Sequence, residues 1–277
     1  DIGVTGVQTC ASSDLYTDGA EKASIVEMAK KPWIQGFTTN PSLLKKAGVS
    51  DYAAYAKDLV AAVPDHHISF EVFSDDLAEM EAQARVIAGW GRNVYVKLPV
   101  TNSKGEPLYD LIHKLSREGV KINFTALYTE GQIKASVDAL RGGAPSIISV
   151  FAGRLGDAGH DYMPVMTYAV GLARGTDTIE VIWASTREVW NVIEADRISC
   201  HIITAPADIL KKLEGLGRAP EDISLDTVKG FVADAAAAGN DWETGWAALK
   251  AKHQDAAREL LDAPGPTLEW LDAQFAG

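Results

Sequence analysis

The sequence predicts an α/β fold, a (β/α)8 TIM barrel with a C-terminal helical extension. Three observations predict it. Short apolar strands alternate with amphipathic stretches from about Leu15 to Gly217, the pattern of a parallel sheet with helical crossovers. Eight such units in roughly 200–250 residues suit a closed barrel. The competing open, doubly wound sheet usually carries a glycine-rich phosphate loop after its first strand. Here that place reads Asp18-Gly19-Ala20-Glu21, and neither dinucleotide nor P-loop glycine spacing occurs.

The elements follow in order. Leu15–Asp18 is the first strand, and an amphipathic stretch with Ala20, Ile25, Met28 and Ala29 follows it. Ile34–Thr38 is the second strand. Pro41 to Val63 reads as one helix, with Leu43, Leu44, Tyr52, Tyr55, Ala56, Leu59 and Val60 apolar. His67–Val72 is the third strand, and Asp76–Trp90 a helix with Leu77, Met80, Ala84, Ile87 and Ala88 on one face. Val94–Leu98 is the fourth strand. Tyr109–Glu118 is helical, with Gly119 as its cap. Strands at Val120–Ala126, Ser146–Phe151, Ile179–Ala184 and Ile198–Thr204 alternate with helices at Gly131–Gly142, Pro164–Gly175, Arg187–Glu194 and Ala207–Leu216. Gly153–Asp157 reads as a mobile loop.

Residues 1–14 show no periodicity and are set aside as an unstructured or artefactual leader, Cys10 with them. Residues 15–219 form the barrel. Residues 220–277 are a helical extension of the same domain, with helices at Asp226–Ala238 and Trp242–Leu261. A last short helix is expected at Thr267–Phe275, after the Pro264-Gly265-Pro266 break.

Composition narrows the function. Apolar residues make up 47% of the 277, enough to bury a core without disulfides or metal staples. No apolar run approaches the ~18 residues of a membrane span. With 26 Lys and Arg against 38 Asp and Glu, the net charge is −12, which argues against nucleic-acid binding by a broad basic face. An anionic ligand then has to be held by a few local cations. Two cysteines, Cys10 and Cys200, make no disulfide scaffold. Neither a CxxC pair nor an HExxH spacing suggests a metal. No secretory signal is read in the first residues, and a reducing cytoplasm is the expected compartment. The glycosylation-like triplet Asn123-Phe124-Thr125 falls in an apolar strand and is discounted.

In a barrel of this kind chemistry sits at the carboxyl ends of the strands. The polar residues there are Asp18, Thr38, Asn40, Glu71, Lys97, Asn123, Thr125, Ser149, Arg154, Ser185 and Arg187. Unpartnered buried charges are costly, so such residues pair or work. Lys97 interrupts the apolar run Val94-Tyr95-Val96-Lys97-Leu98. A lysine in a low-dielectric pocket has its pKa depressed and becomes a nucleophilic amine that attacks carbonyls. From position alone it reads equally as the ion-pair partner of Glu71 or Asp18. Asp18 and Glu71 suit the proton transfers of Schiff-base chemistry. Local sequence, however, favours Asp18 as a helix N-cap and allows Glu71 as a simple partner of Lys97. Arg154 and Arg187, with Ser185 at a helix start, suit a phosphate. Each arginine taken alone reads as surface.

Several segments resemble the transaldolase family. Gly36-Phe37-Thr38-Thr39-Asn40-Pro41-Ser42 resembles its GVTTNPS segment, and Lys97-Leu98-Pro99-Val100-Thr101 its KxPxT segment. Ser149-Val150-Phe151-Ala152-Gly153-Arg154 resembles SPFVGR. Ala184-Ser185-Thr186-Arg187 resembles ASFR, and Ile203-Thr204-Ala205-Pro206 the strand-eight LTxP. The five stand in family order from Leu15 to about Leu216. Val150 in place of Pro and Thr186 in place of a bulky residue depart from the pattern.

The resemblance implies a (β/α)8 barrel and a class I, Schiff-base enzyme that transfers dihydroxyacetone. The donor would be sedoheptulose 7-phosphate or fructose 6-phosphate and the acceptor an aldose phosphate, in the pentose phosphate pathway. It implies that Lys97 forms the Schiff base, that Asp18 moves the hydroxyl proton, and that Glu71 and Thr125 hold a proton-relaying water. Thr38, Asn40, Asn123, Ser149 and Phe151 would meet the sugar, and Arg154, Ser185 and Arg187 its phosphate. Close relatives, the fructose 6-phosphate aldolases, resemble this chain but carry Gln at Glu71 and Tyr at Phe151; both differences favour transfer over cleavage. The resemblance implies no metal or organic cofactor, sugar phosphates as the only partners besides copies of the chain in a homo-oligomer, and no nucleic acid or membrane. The alternatives are a fructose 6-phosphate aldolase-type lyase and a non-catalytic sugar-phosphate-binding barrel.

Overall fold

In a computed structural model, which describes residues 13–237 and 242–262, eight parallel strands close into a barrel in sequence order. They are β1 (Asp14–Asp18), β2 (Ile34–Thr38), β3 (His67–Glu71), β4 (Val94–Pro99), β5 (Ile122–Leu127), β6 (Ser146–Val150), β7 (Ile179–Trp183) and β8 (Ile202–Pro206). The helices between them are α1 (Lys22–Ala29), α2 (Pro41–Lys46), α3 (Tyr52–Ala62), α4 (Leu77–Ala88), α5 (Tyr109–Arg117), α6 (Glu130–Leu140), α7 (Ala152–Asp157), α8 (Met163–Ala173), α9 (Trp190–Arg197) and α10 (Ala207–Lys212). The expected TIM barrel is the observed fold. The contacts divide the chain between Leu216 and Gly217 into two units. The second unit holds α11 (Pro220–Ala237) and α12 (Trp242–Asp262); the helix expected at Thr267–Phe275 lies outside the described residues. No helix among the described residues is long and apolar enough to cross a membrane.

Alternation along each strand sorts the side chains into two cores. One phase, including Phe37, Phe70, Val96, Leu98, Phe124, Ile148, Trp183 and Ile203, packs outward on the helices. The opposite phase contributes a smaller cluster inside the barrel: Tyr16, Tyr95, Ile147, Ile182, Ala184 and Ile202. Each fully buried apolar side chain contributes about 1.5–3 kcal/mol. Two residues further along the same strands, the inward phase turns polar. Tyr16 is followed by Asp18, Tyr95 by Lys97, Ile147 by Ser149 and Ile202 by Thr204. The apolar plug thus floors a polar layer at the carboxyl end.

Several boundaries differ from the sequence reading. The single helix expected from Pro41 to Val63 is two. Gly48, at φ +73°, ends the first, and the Asp51 side chain accepts from Ala54 N to start the second. Val120 is not strand, because its N–H closes α5 onto Leu115 O. Strand β8 starts at Ile202 rather than Ile198, since Cys200 N bonds back to Ala195 O and finishes α9. Asp14, set aside with the leader, is the first residue of β1 and pairs with Ile202.

Asn93 ties the start of β4 to the turn before β3. Its buried Nδ2 donates to Val63 O at 3.0 Å and to His66 O at 2.8 Å. Removing one side of a buried pair costs about 1–3 kcal/mol. Asn93→Ala is therefore expected to lose that much stability, read as a lower urea midpoint at unchanged slope; an unmoved midpoint would show that these bonds carry no net stability.

Candidate active site

The strand register builds the site. Glu71 on β3 lies beside Lys97 on β4, and Lys97 beside Asn123 on β5. A cavity of about 230 Å3 opens at this end. It is lined by eleven of the twelve residues singled out from sequence: Asp18, Thr38, Asn40, Lys97, Asn123, Thr125, Ser149, Phe151, Arg154, Ser185 and Arg187. Glu71 lines a neighbouring apolar groove instead, with Tyr52, Phe73 and Trp90. It still meets Lys97, whose Nζ lies 3.6 Å from Glu71 Oε2. The ion-pair contact that Lys97's position allowed therefore exists. The closer Nζ partner is a backbone group, Thr39 O, at 3.1 Å.

Asp18 is not a helix cap. The N-cap position of α1 is Glu21, which makes no side-chain capping bond. Instead Asp18 Oδ1 accepts from Thr38 Oγ1 at 3.0 Å. Burial pushes its carboxyl above the ordinary range, against the opposing pull of the Lys97 charge and the Thr38 bond. Thr38, expected at the sugar, is thus already engaged: its Oγ1 also lies 2.6 Å from Thr204 Oγ1.

Asn123 is fully buried and held from both sides, donating to Ser69 Oγ at 3.0 Å and accepting from Ser149 Oγ at 2.6 Å. Thr125 Oγ1 is buried with no partner among the described residues, so its hydroxyl is a free donor and acceptor in the cavity that Lys97 lines. Asn40 spends its Oδ1 on Leu43 N as the N-cap of α2, which leaves its amide N–H groups to the cavity.

The rim holds the cations. The Arg154 guanidinium stands 5.7 Å from the Phe151 ring centre. Arg187 is forked onto Asp157, with Nη2 2.6 Å from Oδ2 and Nε 3.0 Å from Oδ2, while Nη1 donates to Ser185 O at 3.0 Å. That bonding holds the Asp157 carboxyl below its ordinary range. Two local readings are corrected here. Arg187 does not open a helix, because Asn191 Oδ1 accepts from Arg187 N and Glu188 N ahead of α9. The segment Gly153–Asp157 is helical, within α7, despite its two glycines. Gly153 is needed because a Cβ there would lie 1.7 Å from Ser185 O, so the contact between the two loops overrides helix propensity.

Residues absent from the sequence-derived set are Ser69, Asp157, Thr186 and Thr204, with Ala184 and Pro206 as walls. Ser69 and Thr204 had a signal: each lies on the inward phase, two residues before Glu71 and Pro206. Among the described residues no three His, Cys, Asp or Glu side chains gather as a metal set.

Gly153→Ala should destabilise by about 1–3 kcal/mol, because the methyl meets backbone rather than a flexible side chain. Chemical unfolding reads this directly; a parent-like midpoint would show that the loop after β7 yields freely.

Comparison with known proteins gives consistent matches. The family described as Transaldolase/Fructose-6-phosphate aldolase matches residues 15–262. A protein of Dehalococcoides mccartyi named "Probable transaldolase" is 38% identical over 201 residues, 72% of this chain and 89% of the relative. One from Methanococcus maripaludis with the same name is 36% identical over 200 residues, 72% of this chain and 88% of the relative. Among solved structures, KGPDC from Streptococcus mutans aligns at TM-score 0.49 and 10% identity, over 72% of this chain and 90% of that one. That likeness is too distant to bear on function.

Proposed function

The chain belongs to the Transaldolase/Fructose-6-phosphate aldolase family, and from that premise we propose that it is a transaldolase. In this reading it moves a dihydroxyacetone unit from a ketose phosphate, sedoheptulose 7-phosphate or fructose 6-phosphate, to an aldose phosphate, through a Schiff base on Lys97, in the pentose phosphate pathway. The observation that carries the reading is the buried Lys97 amine in the strand-end layer, with Glu71 at 3.6 Å and the free Thr125 hydroxyl in the same layer.

The chemistry follows from the groups present. The Lys97 lone pair adds to the ketose carbonyl. Loss of water from the carbinolamine needs a proton delivered to the leaving hydroxyl, a task for a water held by Glu71 and Thr125. The resulting iminium is the electron sink. When the Asp18 carboxylate takes the proton of the hydroxyl beyond the breaking bond, the carbon–carbon pair moves into an enamine on Lys97 and an aldehyde leaves. An acceptor aldehyde reverses these steps, with Asp18 returning its proton, and hydrolysis frees the new ketose. The iminium does the work of a metal or organic cofactor, so the scheme needs neither.

Asn123, locked by Ser69 and Ser149, would present its remaining amide valences to the sugar, with Asn40 beside it. Arg154, Arg187 and Ser185 would receive the phosphate, giving a chain of net charge −12 its local cationic site. The proposal extends to setting: a cytoplasmic homo-oligomer whose partners are sugar phosphates, not nucleic acid or membrane.

Phe151 speaks for transfer rather than cleavage. It lines the cavity and offers no hydroxyl to guide water onto the enamine, so the bound three-carbon unit waits for an acceptor.

Borohydride added with fructose 6-phosphate is expected to leave a reduced dihydroxyacetone unit on Lys97, found by intact mass and peptide mapping. Lys97→Ala should fold, take no adduct and lose turnover by on the order of ten-thousandfold. A folded parent without adduct, or a variant that still turns over, refutes the mechanism. Phe151→Tyr should raise acceptor-independent cleavage of fructose 6-phosphate by about tenfold or more; unchanged partition would remove Phe151 from the control of water.

A further inference from the structure

Nothing in the reading above uses Thr204 or Thr186. Both are buried, at 5% and 4% exposure, and both line the cavity. Thr204 Oγ1 lies 2.6 Å from Thr38 Oγ1, which lies 3.0 Å from Asp18 Oδ1. Thr186 Oγ1 donates to Thr204 O at 2.7 Å.

Proton counting fixes the direction of this chain. An ionised carboxylate accepts only, so the single Thr38 proton goes to Asp18. The Thr38 oxygen is then an acceptor, and the hydroxyl at 2.6 Å has to be the donor. Hence Thr204 donates to Thr38 and Thr38 donates to Asp18, each bond polarising the next. If Asp18 takes a proton on Oδ1, both bonds have to reverse; if it takes one on Oδ2, Oδ1 still accepts from Thr38, but as a neutral and weaker acceptor.

We propose that Thr204 is a positioning residue for the reaction: it pins the Thr38 proton on Asp18 and so keeps the Asp18 carboxylate ionised and aimed, ready to take the substrate proton. Thr186 holds the β8 backbone from which Thr204 projects. This rests on the reading of Asp18 as the proton acceptor. Of the two, Thr186 departs from the resemblance, since the bulky side chain common at its position has no hydroxyl to donate to Thr204 O.

The other charges around Asp18 bound the effect. Lys97 on β4 favours its ionised form, Glu71 on β3 lies beyond Lys97 at 3.6 Å, and Arg154 and Arg187 line the same cavity. Burial works the other way. Without Thr204 the Thr38 proton is no longer confined to Asp18, and a weakened hydrogen bond to the charged form raises a carboxyl pKa. A step that needs the carboxylate then loses rate at higher pH than before.

The experiment compares the parent with Thr204→Val, Thr204→Ala and Thr204→Ser, using fructose 6-phosphate and an aldose phosphate acceptor across pH 4.5–8.5. With Val or Ala the acid limb of kcat should move up by about one pH unit, with KM for fructose 6-phosphate changed less than about twofold. Ser should restore the parent limb. Ala serves should Val fail to fold, with circular dichroism as the check. Carbon-13 NMR of the Asp18 carboxyl, without substrate, gives the second readout. A titration midpoint raised in Val or Ala and restored in Ser upholds the proposal; an unmoved midpoint, or Ser behaving like Val, overturns it. A raised midpoint with an unmoved rate limb upholds the positioning of Asp18 and refutes Asp18 as the reacting base, so the two failures are separable.

Discussion

A lysine amine inside a barrel has to be surrounded by acceptors, and the whole carboxyl-end layer answers that need. Lys97 is 7% exposed, so bulk water alone does not solvate it. Its strand neighbour supplies a carboxylate, and the backbone after β2 supplies a carbonyl at 3.1 Å. The layer can be polar at all because the one beneath it is not. Tyr16, Tyr95, Ile147, Ile182 and Ile202 close the barrel below and contribute the apolar burial that the upper layer gives up. The polar side chains then satisfy one another. Asn123 binds Ser69 and Ser149, and Thr38 joins Asp18 to Thr204. Held this way, they keep the geometry that the proposed reaction needs without rearrangement.

Charge imposes a second constraint. The chain carries −12, so the field at long range repels a sugar phosphate. Attraction has to arise within roughly a Debye length of the rim, about 8 Å at physiological salt. Arg154 and Arg187 stand there, but Asp157 occupies one edge of Arg187. A guanidinium has five N–H donors; the Asp157 and Ser185 bonds orient the plane and engage Nε, Nη1 and Nη2 once each, which leaves a second N–H on each Nη. Asp157 and Arg187 are both about half exposed, so solvent and salt weaken their attraction. The pair is a tether for the guanidinium more than a source of stability.

Much of this was legible in the sequence, for identifiable reasons. The eight strands showed because each is a short apolar run bounded by turns, and their order left one closure. The site showed because a lysine in Val94–Leu98 and a run of polar residues at strand ends violate the core pattern. What escaped reading depends on contacts distant in sequence. The break at Gly48 needed a backbone angle, and the short helix α7 needed the approach of Ser185 O to Gly153. The N-cap reading of Asp18 failed because Thr38, twenty residues away, competes for the same carboxylate. Asp157 gave no signal at all, since an exposed acidic residue near an arginine is ordinary. Thr204 was readable from the two-residue phase of β8, which a start at Ile198 or at Ile202 leaves unchanged.

The division between strands and loops follows from the tasks. The proton transfers proposed here tolerate errors of only a few tenths of an ångström, and Lys97, Asp18, Asn123 and Thr125 sit on β-strands whose neighbours fix them in register. Phosphate binding is longer in range and more forgiving, and the arginines proposed for it extend from the segments after β6 and β7. These two segments are nevertheless not independent. Gly153 lets one lie against Ser185 of the other, and Thr186, next in the chain, reaches the β8 backbone beside Asp18. In the proposed reaction, a phosphate bound at these segments would therefore bear on the strand that carries Thr204. On the proposed function, the rim that would bind the substrate's far end is thus joined by hydrogen bonds to the residue that would hold the proton at its near end.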